Sequence, residues 1–407
     1  MSASDGKRTL PRERSMTDDT KPTIVIKVGT SSLVDASTGL PSLSKIAALV
    51  EVLCKLKRND MNVALVSSGA VGFGCLALGL KERPEGVMVK QALAATGQAK
   101  LMELYGRMFN SLGESCAQVL LTYDNLGHRA QFLNAVNTFE ALFKLGVVPV
   151  VNENDTVAVE ELRFGDNDCL SAMVASMLKA ERLIILTDVD GLYTSNPNKD
   201  PDAKRIPVVD NIDDLDVDTS SAGSALGTGG MATKITAAKL ATASGVDMSI
   251  VSAKNPTIIL EVMRGDNVGT LFKKRSLKVS KDRKRWIAGL PARQSIYLDD
   301  GAVRAIKEKK SLYAAGIIKI NGKFPSNVAI GLADSKGVVF AQGITNYSSA
   351  ELALLKGKQM QETFDCLGYH GSEHVMHRGN IVLLEFAGKK YLQQQEEDED
   401  AKEKTES

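Results

Sequence analysis

As far as Thr270, the chain alternates between two patterns of hydrophobic and polar residues. Runs rich in β-branched residues, as at 23–29 and 62–70, predict strands. Between them, apolar residues three and four positions apart at 42–60 predict an amphipathic helix. Later strand-like runs lie at 114–123, 146–154, 182–193 and 246–252. Because these runs are mostly apolar throughout, we predict a parallel sheet that helices cover on both faces.

From Ala292 the pattern changes to short strand-like runs with little helix between them. These runs are SIYLDD, GIIKING, NVAIGLAD, GVVFAQG and NIVLLEFAG. The predicted fold class is therefore α/β, an open and mostly parallel sheet sandwiched by helices, followed by a small β-rich domain.

Composition divides the chain into segments. They are 1–21, 22–275, 276–291, 292–390 and 391–407. The first and last are polar or highly charged, so we expect both to be disordered. The second is the predicted α/β domain and the fourth the β-rich domain. The third is strongly basic and contains the only tryptophan, Trp286, and we interpret it as a solvated connector because charge runs usually face water.

Charge and cysteine usage exclude several functional classes. With 50 lysine and arginine residues against 49 acidic ones, no global field attracts nucleic acid or an anionic membrane. The five cysteines include no CxxC pair, which argues against a disulfide framework or a zinc ribbon. No apolar run reaches the roughly 18 residues of a membrane span, and no signal-peptide core is present. Arg8, Arg12 and Arg14 would suit an organellar presequence, but the acidic residues among them argue against one, so we expect a cytoplasmic protein.

Polar or glycine-rich turns adjoin the predicted strands, where open α/β sheets bind their ligands. The turns lie at 27–31, 67–72, 152–155, 165–168 and 227–234. Lys27 beside Gly29 offers a cation near backbone amides, although a lone glycine also marks an ordinary turn. The second turn could hold a carboxylate, and Asp155 in the third could receive an ammonium group.

The last two turns have alternative interpretations. The acidic turn at 165–168 precedes a helical stretch, so it could be only a helix N-cap. The turn at 227–234 lacks the GK[ST] ending of a P-loop, yet its amides and Lys234 could bind polyphosphate. Lys27 and Lys234 are the only lysines in these turns, and Asp168 could orient both. Two cations around a phosphoryl group that moves to a carboxylate indicate an amino-acid kinase rather than a hydrolase.

The motifs also resemble those of a known family. IVIKVGTS, SSGAV, VPVVNENDTVA, GDND, ILTDVDGLYTSNP and GTGGMATK, in this order, resemble the glutamate 5-kinases of the amino acid kinase superfamily. The resemblance runs from about Thr23 to Gly379 and implies ATP- and Mg²⁺-dependent phosphorylation of the glutamate side-chain carboxylate to glutamyl 5-phosphate, on the route to proline. The β-rich end resembles a PUA domain in DDGAVRAIKEKKSLYAAGIIKING and AQGITNYSSAELALLKG.

The resemblance implies roles for individual residues, while the metal ligands stay unassigned. The catalytic set is Lys27, Lys234 and Asp168, with the aspartate holding the two lysines. The residues implied to bind glutamate are Ser68, Asp155, Asn167, Asn152 and Asp166. The residues implied to bind the nucleotide are Lys27, Gly29, Thr187, Asp188, Thr228, Gly229, Gly230, Met231, Ala232, Thr233 and Lys234.

The resemblance further implies a homo-oligomer, a dimer or tetramer, and inhibition by proline at or near the glutamate site. Two other functions stay open. One is another amino acid kinase, acting on aspartate or acetylglutamate. The second is RNA binding through the PUA-like domain, which the neutral charge and the lack of an evident aromatic platform disfavour.

Three of the four histidines, His370, His374 and His377, lie close together near the end of the PUA-like region. Closely spaced histidines can bind zinc. Glycines beside His370 argue against a helix and no cysteine accompanies the group, so we expect a surface loop or strand.

Overall fold

The computed structural model describes most of the chain. The described residues are 21–35, 38–80, 82–158, 167–195, 197, 200, 202–212, 215, 230–275, 282–292, 294–359, 362–369 and 371–384. The predictions of disorder for 1–21 and 391–407 therefore fall, apart from residue 21, outside the described residues.

The first domain contains the α/β elements that the hydrophobic pattern predicted. Its strands are β1 (Thr23–Val28), β2 (Asn62–Ser67), β3 (Ser115–Leu121), β4 (Val147–Glu153), β5 (Arg182–Thr187), β6 (Leu192–Tyr193), β7 (Arg205–Ile206), β8 (Val208–Val209), β9 (Asp247–Ser252) and β10 (Thr270–Phe272). Its helices are α1 (Thr30–Leu33), α2 (Leu43–Arg58), α3 (Ala70–Ala77), α4 (Val87–Ser111), α5 (Tyr123–Gly127), α6 (Arg129–Lys144), α7 (Asn167–Met177), α8 (Met231–Ala243) and α9 (Ile258–Arg264).

Eight of these strands form one sheet in the order β3-β4-β2-β1-β5-β9-β10-β8. Every neighbouring pair is parallel except β9 with β10, which confirms the prediction of an open, mostly parallel sheet. Strand β1 lies between β2 and β5, so the chain leaves β1 towards one side of the sheet and later returns on the other. In such sheets the crevice beyond the carboxyl ends of the central strands is the ligand site.

Helices cover both faces of the sheet. Along β1, Ile24 and Ile26 belong to one hydrophobic cluster and Val25 to another, as the alternation of side chains in a strand requires. The helix predicted at 42–60 is α2, in which Ile46, Leu49 and five further apolar residues are buried. The hydrophobic core therefore has two layers, one on each face of the sheet. The polar residues at the strand ends lie outside these layers and can form a ligand site.

The second domain is a five-stranded sheet with helices between its strands. The strands are β11 (Ser295–Leu298), β12 (Ile317–Asn321), β13 (Ala329–Ala333), β14 (Val339–Ile344) and β15 (Ile381–Leu383), in the order β12-β11-β13-β14-β15. The helices are α11 (Asp300–Lys307), α12 (Ser349–Leu355) and α13 (Thr363–Leu367). The expectation of little helix was therefore wrong. Asp299 caps α11 by accepting from the amide of Ala302 at 2.7 Å, and Ser348 and Glu351 form a capping box on α12.

The basic segment between the domains is partly buried, so its interpretation as a solvated connector was wrong for residues 282–291. Helix α10 (Asp282–Ala288) buries Trp286, which is 4% exposed and donates its indole N–H to the Leu126 carbonyl at 2.9 Å. From the second domain, Gln342 donates to the carbonyls of Ile287 at 2.5 Å and Leu290 at 3.1 Å. The apolar face of α10 thus joins the two domains, although charged residues dominate its sequence.

Candidate active site

Two buried lysines and one aspartate meet at the carboxyl ends of the central strands. Asp168, near the start of α7, places one carboxylate oxygen 2.5 Å from Nζ of Lys27 and the other 3.2 Å from Nζ of Lys234. All three side chains are buried, at 0%, 7% and 6% exposure respectively. Lys27 comes from β1 and Lys234 from the first turn of α8. The sequence placed these residues far apart, and the fold brings them together.

The charges of this group determine its protonation. Burial by itself raises the pKa of Asp168, but the ammonium groups of Lys27 and Lys234 outweigh burial and lower the pKa below its ordinary value. The carboxylate is therefore ionised and carries one negative charge between two positive ones. The group retains a net positive charge in a place shielded from water, where an anion is strongly attracted.

Helix α8 is attached to this group by a second contact. The Thr233 hydroxyl donates to Asp168 Oδ2 at 3.0 Å, and the same hydroxyl lies 2.7 Å from the Gly230 carbonyl oxygen. Gly230 is the N-cap of α8, so its backbone stands beside the lysine and the aspartate. A helix N-terminus carries a partial positive charge, which adds to that of the lysines.

The amide and hydroxyl groups predicted to bind glutamate form a second cluster beside the lysines. The side-chain amide nitrogen of Asn167 lies 2.8 Å from Asn152 Oδ1, 3.0 Å from Ser68 Oγ and 3.2 Å from the Ser67 carbonyl. Asn167 and Asn152 are 7% and 3% exposed. Because Asn167 directly precedes Asp168 in α7, one helix start supplies both the lysine-binding carboxylate and the amide cluster.

The remaining predicted residues lie around this centre or outside the described part of the chain. Asp155 is half-buried in the turn after β4. Thr187 ends β5, the strand next to Lys27, and its hydroxyl donates to the exposed Asp188 carboxylate at 2.9 Å. Gly29 precedes α1, while Met231 and Ala232 open α8. Asp166, Thr228 and Gly229 are outside the described residues.

Gln98, which belongs to none of the sequence motifs, also contacts this cluster in the structure. It lies in α4, is 8% exposed, and accepts a hydrogen bond at 2.8 Å from the Asn152 amide. A signal was available in the sequence, because Gln98 is a polar residue in a helical stripe with Ala94 and Leu101, both buried. A lone polar position on a buried helix face needs a hydrogen-bonding partner.

The histidine segment forms ring contacts in the second domain. The His374 ring lies 5.0 Å from Tyr313 and 5.5 Å from His377, measured between ring centroids. His370 is outside the described residues. Across 21–35 and the later described ranges, no group of three or more histidine, cysteine, aspartate or glutamate side chains could hold a metal ion. Among the helices described, none combines the length and the apolar character that crossing a bilayer requires.

Family profiles match both domains. The profile of the amino acid kinase family matches residues 22–252, more than half of the 407 residues. The chain belongs to the amino acid kinase family. The profile of the PUA domain matches residues 294–367, within the β-rich domain of this amino acid kinase.

Similar proteins narrow the family further. The glutamate 5-kinase of Microcystis aeruginosa is 51% identical over 366 residues, which are 89% of this chain and 96% of that protein. The glutamate 5-kinase of Synechococcus elongatus is 50% identical over 364 residues, covering 89% of this chain and 99% of that protein. Within the amino acid kinases, the chain therefore groups with the glutamate 5-kinases, which confirms the resemblance seen in the motifs.

Solved structures of other kinases align with 62–63% of this chain at low sequence identity. Carbamate kinase from Giardia lamblia bound to AMP-PNP aligns with a TM-score of 0.47 at 18% identity, over 63% of this chain and 99% of that one. An isopentenyl phosphate kinase substrate complex aligns with a TM-score of 0.46 at 18% identity, over 62% of this chain and all of the other.

Proposed function

We propose that this amino acid kinase transfers the γ-phosphoryl group of ATP to the side-chain carboxylate of L-glutamate, giving glutamyl 5-phosphate and ADP. The observation that carries the proposal is the buried pair of Lys27 and Lys234, which contact opposite oxygens of Asp168. Relatives that are about 50% identical to this chain are named glutamate 5-kinases, which supports glutamate as the phosphoryl acceptor.

The reaction needs positive charge more than it needs a base. A glutamate side chain has an ordinary pKa of about 4.3, so it is ionised at neutral pH and can attack phosphorus without losing a proton. An oxygen–phosphorus bond forms to the carboxylate as the bond to the leaving ADP oxygen breaks. Asp168 is not suited to be a base, because two ammonium groups occupy it and lower its pKa. This charge arrangement fits an acceptor that is already an anion.

Lys27 and Lys234 are the proposed catalytic residues. Two anions, the acceptor carboxylate and the triphosphate, repel each other when they approach, and charge on the phosphoryl oxygens must be stabilised in the transition state. Ammonium groups that are already fixed in a buried site do this at little reorganisation cost. Asp168 acts through the lysines as a positioning residue, since it holds both without reaching the reacting atoms.

The amide cluster binds glutamate in this proposal. The amide nitrogen of Asn167 is engaged by acceptors inside the protein, so its carbonyl oxygen is the atom left for a ligand. An oxygen acceptor there suits the substrate ammonium group, together with the Asp155 carboxylate. Ser68 and Asn152, with Asp166, complete the proposed set.

The nucleotide lies across the start of α8 in this proposal. The family resemblance assigns the phosphates to Gly29 and residues 228–234. The amides at the start of α8, the Lys234 ammonium group and the positive end of this 13-residue helix attract them. Thr187 and Asp188 at the end of β5 complete the nucleotide site.

Magnesium fits this site as a companion of the phosphates. Mg²⁺ is usually held by substrate phosphates, waters and one or two carboxylates rather than by a protein cage. The exposed Asp188 carboxylate is a suitable donor, whereas Asp168 is already neutralised by its lysines. When bound, Mg²⁺ supplies further positive charge to the triphosphate.

Three further parts of the proposal rest on the sequence and on the family resemblance. Proline competes with glutamate at or near the amide cluster. The enzyme is a homo-oligomer, a dimer or a tetramer, located in the cytoplasm. The kinase domain spans 22–275 and the PUA-like domain 292–390, with the segment between them serving as their junction.

A substrate-resolved assay tests the reaction. Purified full-length protein is incubated with ATP, Mg²⁺, hydroxylamine and one candidate acceptor, and the acyl phosphate is trapped as the coloured hydroxamate. We expect product with glutamate, and a lower initial rate when proline is added at millimolar concentration. Product with aspartate or acetylglutamate and none with glutamate would overturn the proposed substrate. An initial rate that proline leaves unchanged would overturn the inhibition.

A further inference from the structure

A directional chain of side-chain amides leads from the candidate glutamate site to the edge of the sheet. Asn167 donates to Asn152 at 2.8 Å, Asn152 donates to Gln98 at 2.8 Å, and Gln98 donates to Gln118 at 3.1 Å. Asn152 Oδ1 also accepts from the backbone amide of Glu153 at 2.9 Å. Gln118 is an exposed residue on β3, the edge strand. Each amide in the chain thus points its nitrogen outwards and its oxygen inwards.

The direction of this chain fixes which atom Asn167 turns towards a ligand. An asparagine amide has an oxygen and a nitrogen end of nearly equal size, so only hydrogen bonds determine its orientation. If the side-chain amide of Asn152 rotated by about 180°, its nitrogen would face the nitrogen of Asn167. Two donors would then meet without an acceptor. Two groups prevent this, because Gln98 Oε1 accepts from the Asn152 nitrogen and the backbone N–H of Glu153 donates to the Asn152 oxygen.

Close packing of two helices holds Gln98 in place. A Cβ atom on Gly97 would lie 1.8 Å from the Ala70 carbonyl oxygen, and one on Gly74 would lie 2.0 Å from the Leu93 carbonyl oxygen. Only glycine allows this backbone contact between α3 and α4. Gln98 follows Gly97 directly, so the approach that brings α4 against α3 also brings the Gln98 side chain to Asn152.

The same face of α4 supports the neighbouring strand end. Tyr105, two helical turns after Gln98 and fully buried, places its hydroxyl 2.9 Å from Ser67 Oγ. Ser67 Oγ in turn lies 3.0 Å from the Ser68 carbonyl oxygen. Burial raises the pKa of Tyr105, so its hydroxyl remains protonated and can donate. Helix α4 therefore contacts the polar cluster at two points, at Asn152 through Gln98 and at Ser67 through Tyr105.

We propose that Gln98 is a positioning residue for glutamate: as the acceptor of the Asn152 nitrogen it holds the Asn152 side chain, whose oxygen binds the Asn167 nitrogen and so keeps the Asn167 oxygen turned to the substrate ammonium group. The inference rests on the proposed function, because it concerns the same site. Gln98 acts only through Asn152, so its removal weakens glutamate binding and leaves the lysines and the nucleotide residues untouched.

Two substitutions at Gln98 separate hydrogen bonding from packing. Gln98→Met keeps the length of the side chain and removes both polar atoms, which leaves the Asn152 nitrogen without its acceptor. Gln98→Glu keeps an oxygen for Asn152, and the exposed Gln118 amide can turn to donate to the second oxygen. Lys100→Met, on the same helix at an exposed position, is the matched control for a new methionine.

Steady-state kinetics with the hydroxamate assay give the decisive comparison. For Gln98→Met we expect the KM for glutamate to rise about tenfold, within the effect of an unsatisfied buried amide, while kcat and the KM for ATP stay within about twofold. For Lys100→Met we expect all three constants to stay within about threefold of the wild type. For Gln98→Glu we expect a glutamate KM closer to that of the wild type than the KM of Gln98→Met, because an acceptor for the Asn152 nitrogen is kept. Circular dichroism melts verify that each variant is folded.

The failure of this inference differs from the failure of the proposed function. Wild-type protein that makes no hydroxamate from glutamate contradicts the function itself. Active wild-type protein whose glutamate KM is unchanged by Gln98→Met overturns the role of Gln98 alone. A fall in kcat with an unchanged KM for glutamate in that variant also overturns it, since the damage would then lie at the lysines.

Discussion

Lys27 lies near the start of the kinase-domain sequence and Lys234 near its end. In the folded protein their ammonium groups contact opposite oxygens of the same buried carboxylate, that of Asp168. One comes from the central strand β1 and the other from the first turn of α8. The Asp168 carboxylate thus offsets the repulsion between the two lysine ammonium groups and holds them close together. The resulting group carries more positive than negative charge, which is the property that phosphoryl transfer between anions requires.

Replacing Asp168 by asparagine should destabilise the protein, because it leaves two buried ammonium groups without a counter-charge. Breaking a buried ion pair costs about 3–5 kcal/mol. We expect a loss of this order in the free energy of unfolding at pH 7, measured by urea titration. Asp60→Asn is the matched control, since Asp60 pairs with Lys21 at the surface and exposed pairs contribute at most about 1 kcal/mol. Equal losses in the two variants would contradict the burial argument.

The pH dependence of that loss has a defined sign. The pKa of Asp168 is lowered in the folded protein from an ordinary value of 3.8, so its stabilising effect is complete above that value and declines as pH falls through the folded-state pKa. The stability difference between wild type and Asp168→Asn should therefore be the same at pH 5 as at pH 7. It should shrink only below about pH 4. A difference that already shrinks between pH 7 and pH 5 would show that another group is responsible.

Gly97→Ala should strongly destabilise the kinase domain, because the new methyl group would meet the backbone of Ala70 at 1.8 Å. Overpacking costs reach roughly 3 kcal/mol. Gly106→Ala is the matched control on the same helix, where a Cβ atom meets nothing within 4 Å. Alanine there should be neutral or stabilising by up to about 1 kcal/mol through its higher helix propensity. The midpoint of thermal melts should therefore fall for Gly97→Ala and stay the same or rise for Gly106→Ala.

Trp286→Phe should weaken the junction between the two domains. The substitution keeps an aromatic ring in the buried site but removes the indole donor from the Leu126 carbonyl. An unsatisfied buried acceptor costs about 1–3 kcal/mol, so we expect a lower midpoint in circular dichroism melts. A midpoint equal to that of the wild type would mean that water replaces the lost donor and that this hydrogen bond does not stabilise the junction.

The sequence predicted the first domain well because its signals are local. The β-branched runs became β1 and β2, and the apolar period at 42–60 became α2. Lys27 and Asp168 stood beside predicted strand and helix ends, so their meeting at the carboxyl edge of the sheet could be anticipated from topology. The distance between the two side chains and the degree of their burial depend on the packing of distant segments. No local sequence pattern shows these two quantities.

Other features were missed for identifiable reasons. Gln98 hydrogen-bonds to a partner 54 positions away, so no local motif links it to Asn152. The charged residues of helix α10 are typical of a solvated segment, so its sequence does not predict burial. Trp286 and Ile287 nevertheless form an apolar face. Helix α11 follows directly on a strand, and its N-cap Asp299 belongs to the run SIYLDD that predicts the strand. The first two features depend on contacts between residues far apart in the sequence, whereas the N-cap of α11 is a local signal.

The most direct test of the lysine pair is the kinetics of Lys234→Met in the hydroxamate assay, with Lys239→Met as control at an exposed position on the same helix. Loss of a charge that acts in the transition state should lower kcat roughly a hundredfold or more, while the KM for glutamate stays within about threefold. The control should retain wild-type constants. A Lys234→Met enzyme with an unchanged kcat and a weakened KM for glutamate would contradict the account.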